Sequence, residues 1–182
     1  MFRLRLGPGE RRLTLKSKIA DCAQIDTSLL RGGGKCEIDV HGDKMQSALS
    51  IEADLDEKTV QGLLDRRTGL ASALSPAQAR YLETARAWPL AKDLRPLGSI
   101  RVDSHSPAKG KWVVELWRAP GGQQWAEISR KAETVDVDRA RREMLGELSK
   151  ARLKPCADAS SPAESKLRAL LAPTPRPTPE IR

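Results

Sequence analysis

Four stretches of the chain set apolar residues against charged or polar ones at nearly every second position: Phe2-Arg3-Leu4-Arg5-Leu6, Leu13-Thr14-Leu15-Lys16-Ser17-Lys18, Lys35-Cys36-Glu37-Ile38-Asp39-Val40 and Trp112-Val113-Val114-Glu115-Leu116-Trp117. Successive side chains of a strand point to opposite faces, so this period predicts strands with one apolar and one polar side. Gly7-Pro8-Gly9-Glu10 carries turn residues between the first two runs and predicts a hairpin over 2–19. Pro-Gly-Gly at 120–122 joins the Trp-bearing runs 111–118 and 124–132 into a second hairpin. Shorter strands are expected at 46–53 and at Ile100-Arg101-Val102, and an irregular segment through Ser28. Gly32-Gly33-Gly34 leads into the third strand and lacks the spacing of a phosphate loop.

Elsewhere the period lengthens to that of a helix. Val60, Leu63 and Leu64 share a face within 56–67, and Ser75-Pro76 supplies a cap and a first-turn proline for a helix running to about Ala87. Beyond Asp138, Ala140, Met144, Leu145, Leu148 and Ala151 form a stripe, and Ser161-Pro162 opens a last helix through Leu171. The run Pro-Thr-Pro-Arg-Pro-Thr-Pro that follows cannot pack, so 172–182 is expected to be a disordered Pro-rich tail behind a single domain, 1–171. The fold class that results is α+β with a mostly antiparallel sheet.

Thirty-two Lys and Arg against 24 Asp and Glu leave a net charge of +8, which favours anionic partners. The excess is spread through mixed-sign segments with no long basic block, so a nucleic-acid partner is admitted but not favoured. No stretch approaches the roughly 20 apolar residues of a membrane span, and no signal peptide is evident, which predicts a cytoplasmic protein with no membrane partner. Cys22, Cys36 and Cys156 lack paired zinc spacing and are odd in number, so reduced thiols are expected.

The polar stripes carry the candidate chemistry. Arg3 and Arg5 share one face of the first strand, as do Lys16 and Lys18 on the second, and like charges on paired strands repel unless an anion, carboxylates or solvent screens them. Such a face is either a solvated sheet surface or a polyphosphate site. Glu37 and Asp39 lie on one side of the third strand, close enough to share a hard cation or to offset the basic hairpin by ion pairs. Glu115 lies between Val113 and Trp117, and Glu127 between Trp125 and Ser129. Carboxylates set among large apolar groups need a cation, either a metal or a basic side chain, and alternation nominates Lys131 to face Glu127. His41 and His105 fall on expected loops with no assigned role.

The segment Phe2 to Leu6, the Gly-Pro-Gly turn, Leu13-Thr14-Leu15-Lys16 and the acidic strand at 35–39 resemble the internal region of CYTH domains, the triphosphate tunnel metalloenzymes. The Trp-rich hairpin with Glu115 and Glu127 is similar to their late strands. The resemblance implies a sheet curled into a partial or complete barrel, with intervening and C-terminal helices. It also implies Arg3, Arg5, Lys16, Lys18 and Arg101 on the phosphates, and Glu37, Asp39, Glu115 and Glu127 on Mg²⁺ or Mn²⁺. Metal-activated water would then hydrolyse a triphosphate or nucleotide ligand. The family's Glu-x-Glu-x-Lys strand has no counterpart ahead of Arg3, so the expectation includes a truncated or divergent copy. Such a copy would serve as a non-catalytic anion- or nucleotide-binding module, or as a basic nucleic-acid-interacting protein.

Overall fold

A computed structural model describes residues 1–41, 44–89, 94, 96–106, 112–156 and 162–171. The chain divides into two compact units, Met1–Arg95 and Pro96–Arg182. The Pro-rich segment 172–182, Lys111 at the head of the fourth strand run, and Ser161, the expected cap of the last helix, lie outside the described residues.

The first unit is built on a four-stranded antiparallel sheet: β1 (Phe2–Gly7), β2 (Glu10–Lys18), β3 (Gly34–His41) and β4 (Lys44–Asp54), in spatial order β1-β2-β4-β3. The hairpin closes where Gly7 pairs with Glu10, with Gly9 at φ +72° supplying the left-handed turn residue. Alternation then sorts the side chains. Leu15, Leu49 and Ile51 point to one face, where Leu29 of α1 (Thr27–Arg31) and Leu82 of α3 (Pro76–Thr84) complete a buried cluster; Phe2, Tyr81 and Trp88 pack at its margin. Between them runs α2 (Glu57–Leu64), started by the Asp56 carboxylate, which accepts from the Thr59 amide at 2.8 Å. That hydrogen bond is the main reason the Asp56 carboxyl sits below the usual carboxylate range. Val60 is buried and Leu63 half-buried, but Leu64 is exposed, so the expected stripe is narrower than its sequence.

The segment through Ser28, expected to be irregular, instead contains the short helix α1, whose Asp26 side chain caps the Ser28 amide at 2.8 Å. The three glycines let this helix turn directly into β3. Gly33 has φ +90°, and a Cβ on Gly34 would stand 2.6 Å from the carbonyl oxygen of Leu29. Cys22 and Cys36 form a disulfide with Cα atoms 5.7 Å apart, which corrects the expectation of three reduced thiols; Cys156 is free and exposed. The bond ties the turn ahead of α1 to β3. His41 and His105 end strands where loops were expected.

One polar residue sits at the centre of this unit. Gln78 of α3 is fully buried (0% exposed), and its amide nitrogen donates to the carbonyls of Leu13 at 3.0 Å and Ile51 at 2.9 Å. Its amide oxygen accepts from the Ser75 backbone, and its own backbone amide donates to Ser75 Oγ. The expected Ser75-Pro76 helix start is therefore a capping box whose glutamine also bridges two strands.

The second unit holds a three-stranded antiparallel sheet, β5 (Arg101–His105), β6 (Val113–Arg118) and β7 (Gln124–Ser129), in that spatial order. It also holds the helices α4 (Val137–Lys150) and α5 (Pro162–Leu171). Gly121 and Gly122, both at positive φ, form the loop of the second hairpin. On α4 only Ala140 is buried; Met144 and Leu148 are half-buried, and Leu145 and Ala151 are exposed, so the expected apolar stripe meets little core. The architecture is α+β with two antiparallel sheets, and no described helix is long and apolar enough to cross a membrane.

Candidate functional site

The polar side of the first sheet gathers most of the expected site residues. Register places Arg3 opposite Thr14, Arg5 opposite Arg12, Lys16 opposite Ser50 and Lys18 opposite Ala48. On the far side of β4, Lys35 faces Ser50, Glu37 faces Ala48 and Asp39 faces Gln46. Four of the proposed phosphate ligands and two of the proposed metal ligands therefore share one face, as alternation required.

The middle of this face is low. Thr14, Ala48 and Ser50 are short and nearly fully buried, and longer side chains from β2 and β3 reach across them. Lys16 Nζ extends over β4 to Asp39 Oδ2 at 2.6 Å, although a whole strand separates their backbones. Lys35 meets Glu52 at 3.4 Å, and Arg12 meets Glu52 at 3.6 Å, Glu10 at 3.8 Å and Asp54 at 2.9 Å. The Asp54 hydrogen bond is the first cause holding the Arg12 guanidinium proton more tightly than usual. Arg5 lies 3.5 Å from Glu10. Cations and carboxylates thus interleave over a hydroxyl-bearing floor, and the surface is far less basic than its lysines and arginines alone suggest.

Sequence reasoning missed Arg12, Glu52 and Asp54. The first belongs to the Arg11-Arg12 pair beside the turn, Glu52 lies within the expected strand 46–53, and Asp54 extends β4 one residue beyond it. Their parity with Thr14 and Ser50 was the available signal.

The remaining expected residues belong to the second unit. Arg101 is exposed on β5 opposite Arg118, whose guanidinium pairs with Asp103 and, by that hydrogen bond first, holds the Asp103 carboxyl below its usual range. Glu115 and Glu127 are direct cross-strand partners. Like charges so placed repel. Lys166 of α5 meets Glu127 at 2.9 Å, whereas Lys131, the cation that alternation nominated, lies beyond the end of β7. The same Lys166 nitrogen stands 3.4 Å from the centroid of Trp117, which stacks on Trp125 at 6.3 Å. Arg130 packs over Trp112 at 5.0 Å and pairs with Glu143 of α4. These contacts tie each helix to the sheet and bury the tryptophans' flat faces.

Among the described residues, no three of His, Cys, Asp and Glu are grouped to hold a metal ion. Asp39 and Glu127 instead have lysine partners. Comparison with family models, with curated proteins and with solved structures finds no match to this chain.

Proposed function

We propose that the chain is a non-catalytic binding module for phosphate-class polyanions, with its site on the polar face of the first sheet. The observation that carries this reading is the placement of Arg3, Arg5, Arg12, Lys16 and Lys18 on one side of two paired strands, above the buried hydroxyls of Thr14 and Ser50. Flexible ammonium and forked guanidinium donors suit the many acceptor oxygens of a tripolyphosphate or nucleotide. The carboxylates already on the face set the strength of binding. Lys16–Asp39 and Arg5–Glu10 are partly solvent-exposed pairs at the sheet surface, and surface pairs contribute only about 0–1 kcal/mol each. A multivalent anion can therefore take over their cations at small cost. The donor set fits such an anion better than a preformed divalent-ion site, so the proposal rests on the cations alone, and closure of the sheet into a barrel is not required for it.

Calorimetric titration with tripolyphosphate at low salt tests the proposal. Binding is expected, weakening as salt rises, with Arg3→Gln or Lys16→Gln costing about tenfold each, the loss of roughly one charge-assisted contact. Lys131→Gln, in the second unit, should change nothing. Absence of heat at millimolar tripolyphosphate, or binding indifferent to both first-sheet substitutions, overturns the reading. Phosphate release with Mg²⁺ or Mn²⁺ would restore the hydrolase expectation. A preference for mixed-sequence RNA over tripolyphosphate, with a steep salt slope, would replace it with nucleic-acid binding.

A further inference from the structure

The two outer strands of the first sheet carry opposite charges on the same face. β1 and β3 are the ends of the four-strand order, and their polar stripes differ in sign: Arg3 and Arg5 on one, Glu37 and Asp39 on the other. Their apolar stripes are accessible in part, although Phe2, Leu4 and Cys36 are half-buried. Leu6 is 50% exposed, and Ile38 and Val40 are each 38% exposed. An outer strand offers a row of backbone donors and acceptors, and a long one with an exposed apolar side is a template for another strand.

We infer that the partner is a second copy of this chain, adding its β1 to the outer side of β3. Strand direction permits it. β1 pairs antiparallel to β2, β2 to β4 and β4 to β3, so β1 and β3 run in opposite senses, and a neighbour's β1 continues the antiparallel alternation. One register satisfies both faces at once. Setting Arg5 opposite Glu37 puts Arg3 opposite Asp39 on the polar side and brings Leu4 against Ile38, Phe2 against Val40 and Leu6 against Cys36 on the apolar side. A slip of one residue would set charged side chains against apolar ones throughout. Two β1 strands facing each other would oppose arginines, so the charge pattern selects the unlike pairing. The contact is head-to-tail, because each copy gives its β1 to one neighbour and its β3 to another, and it produces a ring or an open row of copies. It uses arginines that the anion-binding proposal also uses but does not depend on that proposal, since it is read without any phosphate present.

Sedimentation velocity in phosphate-free, low-salt buffer is the test. The wild-type weight-average mass should rise from micromolar to millimolar concentration and fall back when salt is added. Arg3→Glu/Arg5→Glu and Glu37→Arg/Asp39→Arg should each associate about tenfold or more weakly alone, since each sets like charges on both contacts. Mixed in equal amounts they should recover association, because each then meets an edge of opposite sign. Circular dichroism checks that both are folded; should either fail, Ile38→Lys, at an exposed position, must weaken association by itself. A wild-type chain that stays monomeric at millimolar concentration, an Ile38→Lys chain that associates as before, or folded charge-reversed chains that gain nothing on mixing each overturn the inference.

Discussion

Replacing Gln78 by Glu should unfold the first unit at neutral pH and spare it in acid. The side chain is wholly enclosed, and its nitrogen donates to two strand carbonyls, so a carboxylate in its place would set negative oxygens against the Leu13 and Ile51 oxygens with no water to separate them. Its pKa in the folded chain must rise above the ordinary glutamate value near 4.3. The sign follows. A folded-state pKa that is raised means that the folded chain holds the proton longer, so stability is retained below the unfolded-state pKa and lost as pH climbs through the folded one. Gln78→Ala isolates the packing and hydrogen-bond share. Loss of the bridging bonds together with the cavity should cost about 3 kcal/mol or more, seen as a lower urea midpoint with little change of slope at any pH. Equal stability of the Glu and wild-type chains at pH 7 would show that Gln78 does not lie between helix and sheet as described.

Breaking the Cys22–Cys36 bond should be the other large loss. The bond closes a loop of about 15 residues, and restricting that loop in the unfolded chain is worth about 3 kcal/mol in the loop-entropy account. Cys22→Ser/Cys36→Ser should therefore lower stability by that order, and α1 should loosen before the sheet does. Thiol titration of oxidised protein under denaturing conditions should find Cys156 alone, and reduction should expose the other two. Three reactive thiols before reduction would refute the pairing. In a reducing compartment the opened form would prevail, and the segment between the two cysteines would be held by the Leu29 and Ile25 contacts, the Asp26 cap, the Asp26–Arg80 pair and the start of β3.

The hairpins and the polarity of their faces could be read from the chain because alternation is a local property, and Gly-Pro-Gly and Pro-Gly-Gly announce their turns. What escaped depends on residues distant in sequence. β4 looked weak because Ala48 and Ser50 are poor strand formers, yet they are needed where helices cover one side and reaching lysines cross the other. The disulfide follows from α1 folding back onto β3, which no cysteine spacing encodes. The helix at Thr27–Arg31 was not expected, since a helix of five residues offers no periodicity to reveal it. Glu127 was correctly expected to need a cation, but alternation could only nominate Lys131, a neighbour along the same run. Lys166 arrives from a helix nearly forty residues onward. The expected basic face was legible by position but not in net charge, because Glu52 comes from a strand whose Ala and Ser residues made it look weak, and Asp54 lies one residue beyond that strand's expected end.

The run Ala48-Leu49-Ser50-Ile51 is enclosed on both sides and has a strand along each margin, a combination it shares with Leu13-Thr14-Leu15 of the adjoining β2. Its amide hydrogens can meet deuterium only when the whole unit opens, so they should be among the slowest to exchange and should report the unit's global unfolding free energy. Outward-facing amides of β1 and β3 should exchange early in dilute protein. The ordering makes β4 an internal clock: a substitution or ligand that slows its hydrogens has stabilised the entire unit, and one that leaves them untouched has acted only at the periphery.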